Sequence, residues 1–160
     1  MRPWYQILPL VALLCAGCVT SPATQSNVGT RGEAARIQQR LEEIFDAVGK
    51  KDVARVDSYH AYGPHFTKFT TESTNRLDAV AAREGEHAGL APVSNLVMRA
   101  DDLKIDVFGN VGIATFILDY HFEYGGNPIA KRGRATLVLV KKHGSWKITH
   151  EHLSAIKTAP

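Results

Sequence analysis

The chain has 160 residues, of which 44% are apolar, and this length suits one packed domain rather than two. Nineteen Lys and Arg against 16 Asp and Glu give a formal charge of +3, and the basic residues are scattered, so no nucleic-acid partner is predicted. Only two cysteines exist, Cys15 and Cys18, and both precede any domain, which excludes a disulfide framework.

The first residues have the pattern of a signal peptide. Arg2 supplies one positive charge, and an apolar run of about eight residues follows, well short of the length that spans a bilayer. The small pair Ala16 and Gly17 before Cys18 resembles the bacterial lipobox, in which the cysteine thiol receives lipid and the chain is cut in front of it. Cys15 stands where that motif usually has Leu, so ordinary secretion or an anchored helix are the alternatives.

This resemblance predicts a destination and an anchor. Residues 1–17 would be removed as the signal peptide, and the lipid on Cys18 would join the protein to a membrane of the bacterial cell envelope. The residue after the lipidated cysteine is Val19 and not Asp. Lipoproteins without Asp at this position are usually sent to the outer membrane, so the resemblance favours the outer membrane, facing the periplasm. Residues 18–31 are polar and lack periodicity, so beyond the lipidated cysteine they are predicted to form a flexible tether.

Three helices and one short strand are predicted in the first half of the domain. The first helix covers residues 32–48, because a capping-box pattern precedes an apolar repeat of helical spacing. The second begins after its cap, Asp52. A short strand follows over residues 66–70, and the third helix begins at Ser73 or Thr74.

From Leu96 onward the pattern changes to β. Three turn signals divide this part into four strands: Gly109-Asn110, Gly125-Gly126-Asn127-Pro128 and His143-Gly144. Because the predicted helices come first and the antiparallel strands follow, we expect an α+β domain, in which a curved antiparallel sheet packs against about three N-terminal helices.

Hairpin geometry assigns side chains to the two faces of this sheet. The inner face, toward the helices, is predicted to hold Leu103, Ile105, Val107, Gly112, Ala114, Phe116, Leu118, Tyr120, Phe122, Ala135, Leu137, Leu139, Trp146, Ile148, His150 and His152. The outer face is predicted to hold Lys104, Asp106, Asp119, His121, Glu123, Arg132, Arg134, Lys147 and Glu151, among the apolar side chains Ile113, Ile117, Val138, Val140 and Leu153. The middle turn is ambiguous by one residue, and the chosen register buries the aromatic rings.

An apolar patch rimmed by charges predicts an interaction surface. We therefore expect a homodimer through the outer face, the alternative being a sheet with one solvated face. A register slip at the middle turn would bring Asp119 and His121 inward instead.

Two segments carry a family resemblance. The end of the first helix, residues 45–53, and the closing hairpin, residues 134–154 with its pattern Gly-x-Trp-x-Ile-x-His-x-His-x-Ser, resemble the SnoaL-like branch of the nuclear-transport-factor-2-like superfamily. The resemblance covers about residues 33–156 and predicts a domain over 32–157. It implies a cone-shaped α+β fold with a pocket between the helices and the concave sheet.

The superfamily includes isomerases, dehydratases and cyclases as well as non-catalytic binding and assembly domains, so the fold does not decide the chemistry. Its ketosteroid isomerases use an Asp at the end of the first strand and a Tyr on the first helix. The corresponding positions here, near Phe69 or Thr70 and near Ile44, carry neither group. No catalytic residue is therefore assigned.

Polar side chains predicted inside the cone form a candidate ligand pocket. Its predicted members are His150, His152, Tyr120, Tyr59, Tyr62, His65 and Trp146. His150 and His152 would share a face about 7 Å apart, where they either contact a ligand or order the core. The register places no carboxylate inward on the sheet, so neither a metal site nor a cofactor is predicted.

These observations favour non-catalytic binding of a small apolar or amphipathic ligand, or of a protein partner. One alternative is an enzyme of the same fold, an isomerase, dehydratase or cyclase, that uses a pocket histidine. The other is an assembly subunit that acts through the outer sheet face.

Overall fold

The computed structural model describes residues 23–156, and the side chains from residue 29 onward. This part of the chain forms α1 Ala23–Gly49, α2 Val53–Tyr59, β1 Thr67–Phe69, α3 Ala79–Leu90, β2 Val93–Phe108, β3 Val111–Tyr124, β4 Asn127–Lys142 and β5 Ser145–Ala155. Among these helices none is long and apolar enough to cross a membrane. The predicted signal peptide and Cys18 lie outside the described residues.

The strands form one sheet in the order β1-β5-β4-β3-β2, with helices preceding the meander, which confirms the α+β prediction. The sheet is mixed rather than purely antiparallel. β1 lies parallel to β5 at one edge, because β1 joins the sheet from the helical half of the chain and not through a hairpin.

Helix α1 buries one stripe against the sheet. Its fully or largely buried positions recur three or four residues apart, as a helix packed on one side requires: Ile37, Leu41, Ile44 and Ala47. At Gly112 of β3 an added Cβ would lie 2.3 Å from Cδ1 of Ile37, so a larger residue there would have to displace the buried Ile37 side chain. Helix α1 begins at Ala23, before the predicted start at residue 32, so part of the segment predicted as a flexible tether is helical.

The capping residues explain where the other helices begin. Asp52 caps α2 as predicted, and its carboxylate accepts a hydrogen bond from the Arg55 backbone N–H at 3.1 Å. The prediction for α3 was wrong, since this helix begins at Ala79 rather than at Ser73 or Thr74. The carboxylate of Asp78 accepts from two backbone N–H groups of the first turn, at 3.0 Å each, and sets this later start.

The three predicted turns are present, and backbone angles at their glycines lie in the left-handed region, with φ of 62° at Gly109, 56° at Gly125 and 79° at Gly144. The middle register is also confirmed. Asp119 lies opposite Arg132, and the outward side of β3 carries Asp119 and its neighbour His121 in ion-pair contact.

Strand β5 contains a bulge that simple alternation did not predict. Leu139 pairs with Ile148 as expected, but the next pair joins Val138 to His150, which leaves Thr149 without an opposing residue. One extra residue in a strand exchanges its two faces from that point onward.

The bulge reverses the predicted placement of four side chains. Glu151 lies opposite Leu137 and faces the helices, with only 6% of its surface exposed, and Leu153 packs against the core. The prediction that His150 and His152 face inward was wrong, because both lie on the outer face beyond the bulge.

Candidate functional site

The inward-facing Glu151 belongs to a buried charge cluster, which we define as His60, Lys68, Glu86 and Glu151. The Nζ atom of Lys68 lies 2.5 Å from a carboxylate oxygen of Glu86 and 2.5 Å from one of Glu151. The Nε2 atom of His60 lies 2.8 Å from the other oxygen of Glu151. These four side chains expose between 3% and 15% of their surface, so their charges interact with little screening by water.

Four separate elements bring the buried charge cluster together. The parallel register of β1 and β5 places Lys68 directly beside Glu151. His60 follows the last turn of α2 and forms a bridge to Ile148 of β5, and Glu86 comes from α3. Because these residues are far apart in the sequence, the cluster forms only when the domain is folded.

His60 carries a proton on both ring nitrogens. Nδ1 lies 2.8 Å from the Val56 carbonyl oxygen, which can only accept, so Nδ1 must donate. Nε2 faces a carboxylate oxygen of Glu151 at 2.8 Å and must donate as well. Burial alone would lower the pKa of His60, but the hydrogen bond and charge of Glu151 outweigh it and raise that pKa.

Glu151 and Lys68 are ionised for the same reason. Burial opposes the charge on Glu151, yet Lys68 and His60 hold the pKa of this carboxyl well below its usual range. Burial likewise opposes the charge on Lys68, and the two carboxylates raise its pKa. Two positive and two negative side chains therefore balance, and none of the four is left as an unpaired base.

Tyr62 extends this arrangement toward the surface. Its hydroxyl donates to Glu86 at 2.7 Å, and its ring stacks on that of His60 with centroids 4.9 Å apart. Burial, with the nearby negative charge of Glu86, raises the pKa of Tyr62, so the phenol keeps its proton. A phenol that is already donating to a carboxylate is poorly placed to stabilise an oxyanion.

The same geometry bears on metal binding. One ligand atom each from His60, Glu86 and Glu151 lie within 4.8 Å of one another, which is a donor set that divalent metals accept. However, the ammonium group of Lys68 lies between the two carboxylates and supplies the positive charge that a metal would bring. A cation could bind these three residues only by displacing Lys68.

The charge state of His60 predicts how stability changes with pH. A group whose pKa is raised on folding stabilises the folded protein below its unfolded pKa of about 6.5 and loses that contribution as pH rises through the folded pKa. We expect the free energy of unfolding, measured by urea denaturation, to fall as the pH rises above about 6.5. In His60→Gln this decline in the free energy of unfolding should disappear. If the decline is unchanged, groups other than His60 cause it.

A second histidine and carboxylate pair ties α3 to α2. His87 Nε2 lies 2.9 Å from Asp57, and Arg83 contacts the same carboxylate at 2.6 Å. Burial opposes the charge on Asp57, but Arg83 and His87 lower its pKa. The pairing fixes a helix that otherwise has few contacts with the sheet.

An open groove of about 520 Å³ lies elsewhere in the domain, between α1 and β2. We call it the α1–β2 groove. Its apolar lining comprises Leu41, Phe45, Leu96, Val97, Met98, Ala100 and Leu103. Its polar lining comprises Gln38, Glu42, Asp46, Lys50 and Arg99. This volume lies within the range of small-molecule sites, about 300–1,000 Å³.

Two bulges shape the strand that lines the α1–β2 groove. The register of β2 shifts between Ser94 and Val97 and again between Asp101 and Lys104. Asp102, in the second bulge, has a φ of 52°. Because bulges bend a strand, the lining segment between them can diverge from α1.

None of the residues predicted for the pocket lines the α1–β2 groove. Tyr120 faces inward and stacks on Phe122 with centroids 6.0 Å apart. Trp146 is buried in the core, and its ring N–H donates to Glu33 at 2.9 Å. Tyr59 is buried beneath the guanidinium of Arg40.

The remaining predicted residues are dispersed. Tyr62 contacts the buried charge cluster, and His65 is exposed. On the outer face, His150 forms a hydrogen bond of 2.7 Å with the Thr67 hydroxyl, and exposed His152 lies beside the ring of Phe69. The predicted pocket is therefore not assembled as one site.

Comparisons with known proteins agree with this fold. The family model of the SnoaL-like domain matches residues 37–158. No curated protein matches the chain. An NTF2-like protein of unknown function from Pseudomonas putida is 18% identical, with a TM-score of 0.69 over 81% of this chain and 90% of that one.

Two further solved structures differ in their described roles. A proposed dehydratase of the NTF2-like family from Streptomyces avermitilis is 14% identical, with a TM-score of 0.73 over 80% of this chain and 99% of that one. The CamKII hub homology domain of Chlamydomonas reinhardtii is 19% identical, with a TM-score of 0.66 over 78% and 98%. The domain therefore has the NTF2-like fold, and identities this low extend to the fold alone.

Proposed function

We propose that this chain, which belongs to the SnoaL-like domain family, is a binding protein rather than an enzyme and that its ligand site is the α1–β2 groove. The observation that carries the proposal is the separation of the two features. The buried charge cluster is paired internally, whereas the α1–β2 groove is open and is lined by neither His60 nor Glu151.

The lining of the α1–β2 groove supports one class of ligand. Its floor is aliphatic and aromatic, and charges of both signs stand at its rim, with Asp46 paired to Lys50 at 2.7 Å. An elongated amphipathic molecule would cover the apolar side chains and keep its polar group at the rim. The alternative of an enzyme that uses a pocket histidine has less support, because His60 is protonated and already paired.

The test is native mass spectrometry of the protein purified from its own host. We expect a retained small molecule in the wild type and its loss in Ala100→Phe, which fills the floor of the α1–β2 groove. Ala88→Phe is the matched control, because Ala88 is exposed on α3 and should not affect binding. If Ala100→Phe still retains the molecule, the ligand site lies outside the α1–β2 groove.

Assembly through the outer sheet face is a second candidate. Ile113, Ile117, Val138 and Val140 are half-buried on that face, while Leu153, predicted there, faces inward. An apolar patch of this kind supports a homodimer. The same native mass spectra test this homodimer. We expect a dimer, and a monomer at every concentration would contradict assembly through the outer face.

The location proposed for the protein rests on the sequence pattern around Cys18. A lipid on this cysteine would anchor the domain in the bacterial cell envelope, at the outer membrane and facing the periplasm. At the outer membrane, a groove for amphipathic molecules would lie close to the amphipathic lipids of the bilayer.

A further inference from the structure

Two turns of the sheet meet the first part of α1 at one end of the domain. The backbone N–H of Lys141, near the β4–β5 turn, donates to the Asn110 carbonyl in the β2–β3 turn at 2.9 Å. The Nζ atom of Lys141 and the ring N–H of Trp146 both donate to Glu33 of α1, at 2.8 and 2.9 Å. We call this end, formed by residues 29–36, 108–111 and 141–145, the tip end.

The tip end exposes large apolar side chains to solvent. Phe108 is 65% exposed and Val111 is 38% exposed, on either side of the β2–β3 turn. No large hydrophobic side chain in the described part of the chain is more exposed than Phe108. A hairpin turn needs glycine or asparagine for its geometry but has no need of an exposed phenylalanine beside it.

The tip end is also basic. Its basic side chains are Arg31, Arg36, Lys141 and Lys142, and its carboxylate is Glu33, which Arg36 and Lys141 already neutralise. The exposed Lys142 lies next to His143 at the β4–β5 turn. An exposed aromatic ring at an end of the domain that also carries several cationic side chains is a combination that binds the interface of an anionic bilayer.

The position of α1 connects this surface to the predicted anchor. Four residues separate Cys18 from Ala23, so the lipid attachment point lies within about 18 Å of the start of α1 whatever their conformation. From Ala23 to Glu33 the helix rises about 15 Å and reaches the tip end. The opposite end of β3, at Tyr124, lies about 45 Å farther along the strand.

We propose that the tip end is a membrane-docking surface, at which Phe108 and Val111 enter the lipid interface and the neighbouring basic side chains contact anionic headgroups. This inference rests on the proposed lipid on Cys18, which would bring the tip end to the bilayer. Docking there would leave the outer sheet face and the α1–β2 groove at the sides of the domain.

The test places an environment-sensitive fluorophore at Phe108→Cys in the mature, lipidated protein. Cys15 is removed with the signal peptide and the Cys18 thiol is acylated, so the new cysteine is the only free thiol. The matched control is Tyr124→Cys, an exposed aromatic position at the other end of the sheet. The protein is bound to vesicles of phosphatidylethanolamine and phosphatidylglycerol that contain lipids with a quenching label.

We expect severalfold stronger quenching at position 108 than at position 124, and a loss of that difference on adding Lys142→Glu. Equal, weak quenching at both positions in protein that floats with the vesicles would overturn the inference and show that α1 holds the domain away from the bilayer. Probe contact between two copies at position 108, seen without vesicles, would also overturn it in favour of a dimer surface. Failure of the anchor itself is distinguished by mass, because the purified chain would then lack lipid at Cys18.

Discussion

Glu151→Gln is expected to lower the free energy of unfolding by about 3–5 kcal/mol, because it leaves two buried cations, Lys68 and His60, with only Glu86 to balance them. Gln preserves the size of the side chain, so the loss reports charge and not packing. Urea denaturation at neutral pH measures the change.

The control for this variant is the next residue in β5. His152 is exposed on the outer face, and His152→Gln should change the free energy of unfolding by less than about 0.5 kcal/mol. Comparing the stability losses of these two adjacent variants therefore tests directly for the bulge at Thr149. A large loss in His152→Gln and a small one in Glu151→Gln would mean that β5 alternates without a bulge.

Lys68→Met is expected to cost a similar amount, about 3–5 kcal/mol, for the opposite electrostatic reason. The two carboxylates of Glu86 and Glu151 would then share one buried cation, His60. The double variant Lys68→Met, Glu151→Gln restores the balance, since His60 and Glu86 remain as one positive and one negative group.

The double variant should therefore lose less stability than the two single variants together, by about 2 kcal/mol or more. The measurement is a double-mutant cycle under the same denaturation conditions. Strictly additive losses would contradict the view that these charges act as one balanced unit. Lys104→Gln with Asp106→Asn, an exposed pair on the outer face, is the matched cycle, in which coupling should stay below about 1 kcal/mol.

Much of the architecture follows from local signals in the sequence. Helical spacing, the cap Asp52 and the three glycine-containing turns each act over a few residues, and the structure has all of them. The register of β3 and β4 was also predictable, because the choice that buries aromatic rings such as that of Phe116 decides the parity of the middle hairpin.

The bulge in β5 is where local reasoning failed. Trp146 and Ile148 face inward, and strict alternation then sends Leu153 outward, although it is apolar. That mismatch was the one available sign of an extra residue in the strand. Strict alternation instead predicts that Glu151 faces outward and that the inner face of the sheet has no carboxylate, whereas the bulge turns Glu151 inward.

The rest of the site depends on tertiary structure. Lys68 lies in a three-residue strand whose parallel neighbour comes from the end of the chain, and Glu86 belongs to a helix whose start was misplaced. The α1–β2 groove depends on two bulges at the sheet edge, which no turn signal marks. Nothing in the spacing of these residues predicts that they meet.

Hydrogen–deuterium exchange of the protein with and without its copurified ligand tests the central claim most directly. If the α1–β2 groove binds the ligand, removal of the ligand should increase exchange in peptides covering residues 38–50 and 96–103, while peptides covering 60–68 and 148–153 stay protected in both states. Increased exchange confined to residues 60–68 and 148–153 would contradict the account, because it would place the ligand at the buried charge cluster.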